Sequence, residues 1–145
     1  YFNQLFPLGV AAMVEGVDLV KAGKAAKIIQ NEADATYESW CTADDVAIDW
    51  SQPAATVHNL IRGADPQPGA WTTHGGKRLQ IFDCARLDGA SGGAPGQVTA
   101  IGGDGVEVAA GDGRILLKRV RGEGAKVAAA EYAADAGLTT GQRLG

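Results

Sequence analysis

Three aspartates lie close together in the first third of the chain, and carboxylates at this spacing could bind a divalent cation. They are Asp44, Asp45 and Asp49. A calcium loop needs a longer, ordered set of oxygen ligands with glycine at a defined position, and this segment has neither. Negative charge is favourable near a helix N-terminus, and a helix is predicted to begin just after Asp49. The cluster is therefore predicted to mark a helix entry, and no metal site is expected.

Histidine is the side chain best suited to proton transfer near neutral pH, and the chain has 2 of them. His58 and His74 lie in different predicted elements, and neither belongs to a recognisable nucleophile motif with serine or cysteine. His58 is predicted on an exposed helix flank, where it serves as a surface or interface hydrogen-bonding group rather than a general base. No catalytic residue is predicted in this chain.

Arg62 has the most informative position of the polar residues, because it ends a predicted helix directly before a proline-rich turn at residues 65–69. A guanidinium in this position can pair with a carboxylate or with backbone carbonyls of a second domain. The alternative is an exposed cation that complements the negative end of the helix dipole. The sequence leaves both interpretations open.

Three tryptophans, Trp40, Trp50 and Trp71, surround the same short helix. Side chains of this size can fill a core or stack on a planar ligand. A core position is the prediction for these tryptophans.

Two helices are predicted before the first clear strand. Apolar residues recur at helical spacing over residues 8–22, and a second helix is predicted at 53–61. Residues 24–37 lack periodicity and are predicted to form an extended linker. The residues predicted to cap or end the two helices are Gly23, Ser51 and Gly63.

The rest of the chain alternates between short apolar strands and glycine-rich turns. Strands are predicted at 71–73, 77–87, 97–101, 106–110 and 114–120, and an alanine-rich helix at 125–136. The fold prediction is mainly β: a small OB-like open barrel of about five to six strands. An N-terminal connecting helix, one short helix before the barrel and a C-terminal helix accompany it. The predicted division is a connecting helix and linker (1–38), the barrel (39–122) and a C-terminal helix and tail (123–145).

The longest predicted strand, at residues 77–87, should show alternating faces. One face is predicted to carry the apolar residues Leu79, Ile81, Ala85 and Leu87, and the other to carry Arg78, Gln80 and Arg86. Asp83 interrupts the apolar side.

The formal net charge of −4 makes a nucleic-acid partner unexpected, because such a surface needs cations to neutralise phosphates. The best candidate for a basic patch is 118–121, which is predicted to be a solvated edge or strand end. Cys41 and Cys84 lack metal-site spacing and are predicted to be free packing thiols in a reducing compartment. No apolar run is long enough to span a bilayer, so no membrane partner and a cytoplasmic location are expected.

A series of motifs resembles the C-terminal domain of the folate-dependent formyltransferases. The motif begins with Ile48-Asp49-Trp50, ahead of an alanine-containing helix. After the helix come Ile61-Arg62, the turn Pro66-Gln67-Pro68-Gly69-Ala70 and the aromatic Trp71. Further segments resemble the family's connecting helix, linker, closing strand and tail: 6–9, 13–15 and 23–25, then 35–38, 117–120 and 129–132. Through His58-Asn59 and Pro68–Trp71, the chain most resembles the hydrolase domain of 10-formyltetrahydrofolate dehydrogenase and related bacterial formyltransferases.

This resemblance implies a parent enzyme that transfers a formyl group from 10-formyltetrahydrofolate to an amine or to water. The family's catalytic Asn, His and Asp belong to an N-terminal domain, and none of them matches a residue of this chain. The chain is therefore expected to bind no cofactor and to be inactive alone. The resemblance also implies that its principal partner is the missing N-terminal catalytic domain. The start at Tyr1, without an initiator methionine, suggests a portion of a longer polypeptide.

Within the chain, a substrate-positioning or domain-interface role is expected for Asp49, Trp50, His58, Asn59, Arg62 and Trp71. The acceptor in the parent enzyme is expected to be water, a small molecule such as a sugar amine, or an aminoacyl-tRNA. Two alternatives remain open. One is the tRNA-binding C-terminal domain of a methionyl-tRNA formyltransferase. The other is a stand-alone OB-like binding module, whose support is the cationic residues Arg78, Arg86, Lys118 and Arg119.

Overall fold

The computed structural model describes residues 2–145 and divides the chain into two compact units, Tyr1–Ser39 and Trp40–Gly145. Tyr1, which opens the sequence, lies outside the described residues. Among residues 2–145, no helix is both long enough and apolar enough to cross a membrane.

The first unit contains helix α1 (Leu5–Lys21), which begins a little earlier than the periodicity predicts. Gly23 ends it as expected, with φ of +66°. The Gly23 N–H donates to the Val20 carbonyl at 3.1 Å, and the Lys24 N–H donates to the Leu19 carbonyl at 2.9 Å. These two bonds are those of a Schellman cap. One short 3₁₀ turn, Glu32–Asp34, lies within the predicted linker.

The second unit is built from six strands and two helices. Helix α2 (Ala54–Ala64) precedes the sheet. The strands are β1 (Ala70–His74), β2 (Lys77–Leu87), β3 (Val98–Gly102), β4 (Gly105–Ala109), β5 (Arg114–Arg121) and β6 (Val127–Ala128). Helix α3 (Ala129–Ala136) follows β6 directly, so the helix predicted from residue 125 begins later than expected.

All strand pairings in the sheet are antiparallel, in the order β1-β2-β5-β4-β3, with β6 on β5. Within residues 2–145 no ladder joins β1 to β3, so the sheet is open. The mainly β, open-barrel prediction is confirmed. The hairpin between β1 and β2 turns at Gly75 and Gly76, whose φ angles of +57° and +77° suit a two-residue type I′ turn.

Two bulges curve the sheet where β2 pairs with β5. Ile81 faces Val120 and Asp83 faces Arg119, which leaves Phe82 as an extra residue on β2. Cys84 then faces Leu117, so Lys118 is the extra residue on β5. A bulge bends a strand and raises its twist, as closing a barrel requires.

The Phe82 bulge corrects the predicted faces of β2. After it, the alternation resumes one residue out of step, so Cys84 rather than Ala85 packs against the core with Leu79 and Ile81. Because side chains alternate along a strand, Arg86 projects from the same side as Cys84. This was not the face predicted for Arg86.

Helix α2 covers the core with Ala54, Val57, Ile61 and Ala64, all buried. The predicted N-cap, Ser51, does not cap it. The Asp112 carboxylate, from the turn before β5, accepts a hydrogen bond from the Ala54 N–H at 2.7 Å. Gly63 lies inside the helix rather than after it, and the extended residue Asp65 ends α2, as expected for a residue before proline.

Residues 138–145 lie along the gap between the two sheet edges. The Leu144 N–H donates to the Gly96 carbonyl at 2.9 Å, and the Gly145 N–H donates to the Thr73 carbonyl at 3.0 Å. Leu138 and Leu144 are buried in the same core as α2 and α3. The tail therefore links the ends of β1 and β3 that no strand pairing joins.

Candidate functional site

Asp49 orders its own turn. Its carboxylate accepts hydrogen bonds from the Ser51 hydroxyl at 2.6 Å, the Ser51 N–H at 2.9 Å and the Gln52 amide at 2.9 Å. The Ser51 hydroxyl, followed by Gln52, lowers the pKa of Asp49 below its ordinary value. The helix-entry interpretation fits this geometry. Among residues 2–145, no group of three or more acidic, histidine or cysteine side chains could hold a metal ion.

The three tryptophans occupy three different environments. Trp50 is buried, and its indole N–H donates to the Thr72 hydroxyl at 3.0 Å. Trp71 is half-buried, donates to the Ala43 carbonyl at 2.6 Å and carries the Arg78 guanidinium 4.2 Å from its ring centre. Trp40 is 92% exposed. The core prediction is therefore confirmed for Trp50, holds in part for Trp71 and is wrong for Trp40.

The polar face of α2 presents His58, Asn59 and Arg62. His58 is half-buried, whereas Asn59 and Arg62 are exposed. Burial lowers the pKa of His58, and the positive charges of Arg62 and Arg86 lower it further. The structure thus brings two predicted residues, His58 and Arg62, together with Arg86 from β2.

Cys84 lies beside this group on β2. Burial, followed by the negative charge of Asp83, raises the pKa of Cys84 to about 11, although Lys118 and Arg62 favour its thiolate. Lys118 therefore lies near the same place as Arg62. We call this group the α2 surface: His58, Asn59, Arg62, Arg86 and Lys118. Three of its five side chains are cations, and the carboxylates of Asp83 and Asp65 also act on Cys84. The exposed guanidinium groups suit a carboxylate, a phosphate or the backbone carbonyls of another domain.

The predicted site residues divide in two. His58, Asn59 and Arg62 lie on the α2 surface, whereas Trp50 is in the core and Asp49 holds a turn. Trp71 supports the segment before α2 through the Ala43 carbonyl. Arg86 was predicted only among the cations of the alternative binding module. Its place beside His58 could not be predicted, because no sequence signal marks the bulge that turns it toward α2.

No nucleophile–base pair is present among residues 2–145. His74 Nδ1 lies 3.0 Å from the Tyr132 hydroxyl, and the two rings meet edge to face. This contact joins the β1–β2 hairpin to α3. No hydrogen bond in this part of the chain links a histidine to a serine or a cysteine.

The two cysteines should differ sharply in reactivity, since the thiolate is the reacting species. Cys41 is exposed, whereas Cys84 is half-buried with a raised pKa. With a maleimide at pH 7.5, we expect Cys41 to be modified at least about tenfold faster than Cys84. Peptide mass spectrometry over time measures both rates in one sample. Equal rates would show that the thiol of Cys84 is accessible and easily ionised.

Burial is the main cause of the lowered pKa of His58, and the charge of Arg62 should lower it further. Replacing Arg62 with glutamine removes a nearby positive charge, so the pKa of His58 is expected to rise. An NMR titration of the His58 ring measures it, with Arg143→Gln as the control that leaves it unchanged. The pKa of His58 is lower in the folded than in the unfolded state, so protonation of this side chain favours unfolding. The free energy of unfolding should therefore decline as the pH falls below about 6.5. An unchanged pKa in Arg62→Gln would contradict the proximity of the two side chains.

The sequence was compared with models of known protein families, and one of them matches. The family model described as "Formyl transferase, C-terminal domain" matches residues 41–136. The chain therefore belongs to the formyl transferase C-terminal domain family.

Its similar relatives come from two kinds of enzyme. It is 35% identical over 144 residues to methionyl-tRNA formyltransferase of Moorella thermoacetica, a match that covers 99% of this chain and 46% of that protein. It is 45% identical over 82 residues to cytosolic 10-formyltetrahydrofolate dehydrogenase of Xenopus tropicalis, covering 57% of this chain and 9% of that protein. The chain thus spans about half the length of the methionyl-tRNA formyltransferases that it matches.

A solved structure shares the fold. HypX of Aquifex aeolicus, crystallised in complex with tetrahydrofolic acid, superposes with a TM-score of 0.66 at 22% identity. The match covers 87% of this chain and 22% of that chain. At this identity the likeness concerns the fold alone.

Proposed function

We propose that this chain is the acceptor-facing C-terminal domain of a formyltransferase that uses 10-formyltetrahydrofolate, with the catalytic groups in a preceding domain. The observation that carries the proposal is the family match over residues 41–136. The folate cofactor is assigned to the preceding domain, and no residue of this chain is assigned to it.

We assign the binding of the acceptor, or of the catalytic domain, to the α2 surface. Arg62 and Arg86 are exposed and have no acidic partner in the described part of the chain. A guanidinium without a protein carboxylate is available to bind a carboxylate or phosphate of another molecule. Asn59 adds an exposed amide on the same helix.

Methionyl-tRNA is the second candidate acceptor, beside water or a small amine. The observation in its favour is the local charge of β5 and the segment that follows it. Between residues 114 and 126 the chain has one acidic residue, Glu123, against the cations Arg114, Lys118, Arg119, Arg121 and Lys126. Arg114 is paired with Glu107 at 2.6 Å, so the other four carry the local excess. A net charge of −4 for the whole chain does not report this local excess. The methionyl-tRNA formyltransferases also match almost the whole chain.

A chimera tests both candidates. The matched part of the Moorella thermoacetica methionyl-tRNA formyltransferase is replaced by this chain, and formyl transfer from 10-formyltetrahydrofolate is measured with methionyl-tRNA, with a small amine and with water. The truncated relative and this chain alone are the references. Faster turnover by the chimera than by the truncated relative supports the proposal, and the acceptor used identifies the acceptor class.

The α2 surface is tested in the same chimera. The double substitution Arg62→Gln and Arg86→Gln is expected to raise KM for the acceptor about tenfold, the usual effect of losing a charge-assisted hydrogen bond. Arg143→Gln is the control for the loss of an exposed cation elsewhere. Formyl transfer by this chain alone would contradict the proposal, and so would a chimera no more active than the truncated relative.

A further inference from the structure

A second surface site, separate in its residues from the α2 surface, surrounds the bulged residue Phe82. This Phe82 cleft has a volume of about 640 Å³ and is lined by Trp40, Cys41, Pro68, Phe82, Arg121 and Lys126, among others. Pockets for small molecules usually have volumes of about 300–1,000 Å³. The cleft is therefore large enough for a small organic ligand.

Two cations lie over the same aromatic ring. Lys126 Nζ is 3.5 Å from the centre of the Phe82 ring, and the Arg121 guanidinium carbon is 5.2 Å from it. Phe82 itself is only 4% exposed, and it lies outside the main core cluster. An aromatic face attracts cations, so Phe82 holds both charges at the mouth of the cleft.

Arg121 is oriented without being neutralised. Its Nε and Nη2 donate to the Gln80 side-chain oxygen at 3.0 and 2.8 Å, and the Gln80 amide donates in turn to the Pro68 carbonyl at 3.1 Å. The partner of this guanidinium is thus a neutral amide. Its remaining N–H groups and its full charge are available to an anion.

Lys126 is also incompletely paired. The nearest carboxylate, Asp65, lies 3.9 Å from its ammonium, which is beyond hydrogen-bond distance. Both side chains are partly exposed, at 31% for Lys126 and 38% for Asp65. An anion entering the cleft would therefore meet two cations and one carboxylate.

Trp40 supplies a planar surface beside these charges. Its indole is 92% exposed although it lines the cleft. Exposed aromatic rings stack on the flat faces of heteroaromatic bases. A ligand that uses both features carries a flat ring and a negative charge on one small molecule.

We propose that the Phe82 cleft binds a nucleoside 5′-phosphate, with the base on Trp40 and the phosphate between Arg121 and Lys126. This inference goes beyond the proposed function. Arg121 and Lys126 are also among the cations counted in favour of methionyl-tRNA, but none of the cleft residues belongs to the α2 surface, which the chimera variants test. The two proposals can therefore fail separately.

The test is an NMR titration of the 145-residue chain with AMP. The indole N–H signals of the three tryptophans are resolved probes, because Trp50 and Trp71 donate inside the protein whereas Trp40 is exposed. Binding at the cleft should shift the Trp40 signal and leave the Trp50 signal in place. Adenosine and inorganic phosphate, titrated separately, should each bind at least about tenfold more weakly than AMP, since each keeps only one of the two contacts.

Three substitutions test the assignment of the residues. Lys126→Met keeps an unbranched chain over Phe82 and removes the charge, and Arg121→Met does the same for the guanidinium. Each should weaken AMP binding about tenfold. Trp40→Leu should weaken AMP but leave phosphate unchanged, and its exposed position makes loss of folding unexpected. Arg143→Gln, which removes an exposed cation outside both binding surfaces, is the matched control and should bind AMP normally.

The outcomes separate clearly. AMP binding that depends on Trp40, Arg121 and Lys126 and not on Arg143 supports the proposal. Phosphate binding as tightly as AMP, binding only of a single-stranded oligonucleotide, or no shift of Trp40 with millimolar AMP would each overturn it.

Discussion

Replacing Ile61 with alanine is expected to lower the free energy of unfolding of the Trp40–Gly145 unit by about 2–5 kcal/mol. Ile61 is fully buried at the centre of the face that α2 presents to the core. The substitution removes apolar side-chain atoms from a packed interior and leaves a cavity, and both effects destabilise. A helix of 11 residues has little stability of its own and depends on this packing.

The loss of Ile61 packing should also disturb the α2 surface. His58 and Arg62 lie on the helix that Ile61 holds against the sheet, so a loosened α2 moves both away from Arg86 on β2. Urea denaturation followed by the fluorescence of the buried Trp50 measures the stability change. Ile29→Ala is the matched control, because Ile29 is 94% exposed and its loss should change stability by less than about 0.5 kcal/mol. A cost below about 1 kcal/mol for Ile61→Ala would show that α2 contributes little to the core.

The elements that the sequence predicted well are those whose signals are local. Alternating apolar residues and glycine turns give the β2 strand and its hairpin, since a Gly-Gly pair suits a turn with positive φ at both positions. Gly23 ends α1 as predicted, with φ of +66°, and α3 ends at residue 136 as predicted, where Gly137 follows with φ of +67°. The fold class follows from these local patterns because each one agrees with its neighbours.

The predictions that failed depended on contacts between distant parts of the chain. Asp112 accepts the hydrogen bond of the Ala54 N–H from 58 positions away. Capping rules concern only residues just before a helix, so they could point to Ser51 but not to Asp112. The bulges at Phe82 and Lys118 arise from strand pairing, so periodicity alone could not place Cys84 in the core. Exposure of Trp40 likewise could not be inferred from residue type, because a tryptophan is more often buried than exposed.

The candidate site shows the same difference between local signals and contacts that join distant parts of the chain. Arg62 was singled out from its place at the end of a helix, which the structure keeps. Its neighbour Arg86 was predicted on the opposite face, and only the register shift at Phe82 brings it toward α2. The same shift places Phe82 beneath Arg121 and Lys126. One bulge therefore contributes to both surfaces that we propose for binding.

The second large effect is expected at Gly105, the first residue of β4. Its φ is +140°, and a Cβ added there would overlap the carbonyl oxygen of Leu117 on the neighbouring strand β5. Val106 pairs with Leu117 in the same ladder, so the backbone cannot move away without breaking strand pairing. Gly105→Ala should therefore destabilise the unit by about 2 kcal/mol or more, from overpacking and an unfavourable φ together.

Gly103→Ala, in the same turn, is the control that separates the overlap and the positive φ at Gly105 from the loss of a glycine as such. Gly103 has open space at its Cβ position and no positive φ, so its replacement should change stability by less than about 0.5 kcal/mol. Urea denaturation of both variants gives the comparison, and amide exchange of Val106 and Leu117 tests whether the loss lies in the β4–β5 ladder. Equal stabilities for the two variants would mean that β4 can shift along β5 at no cost.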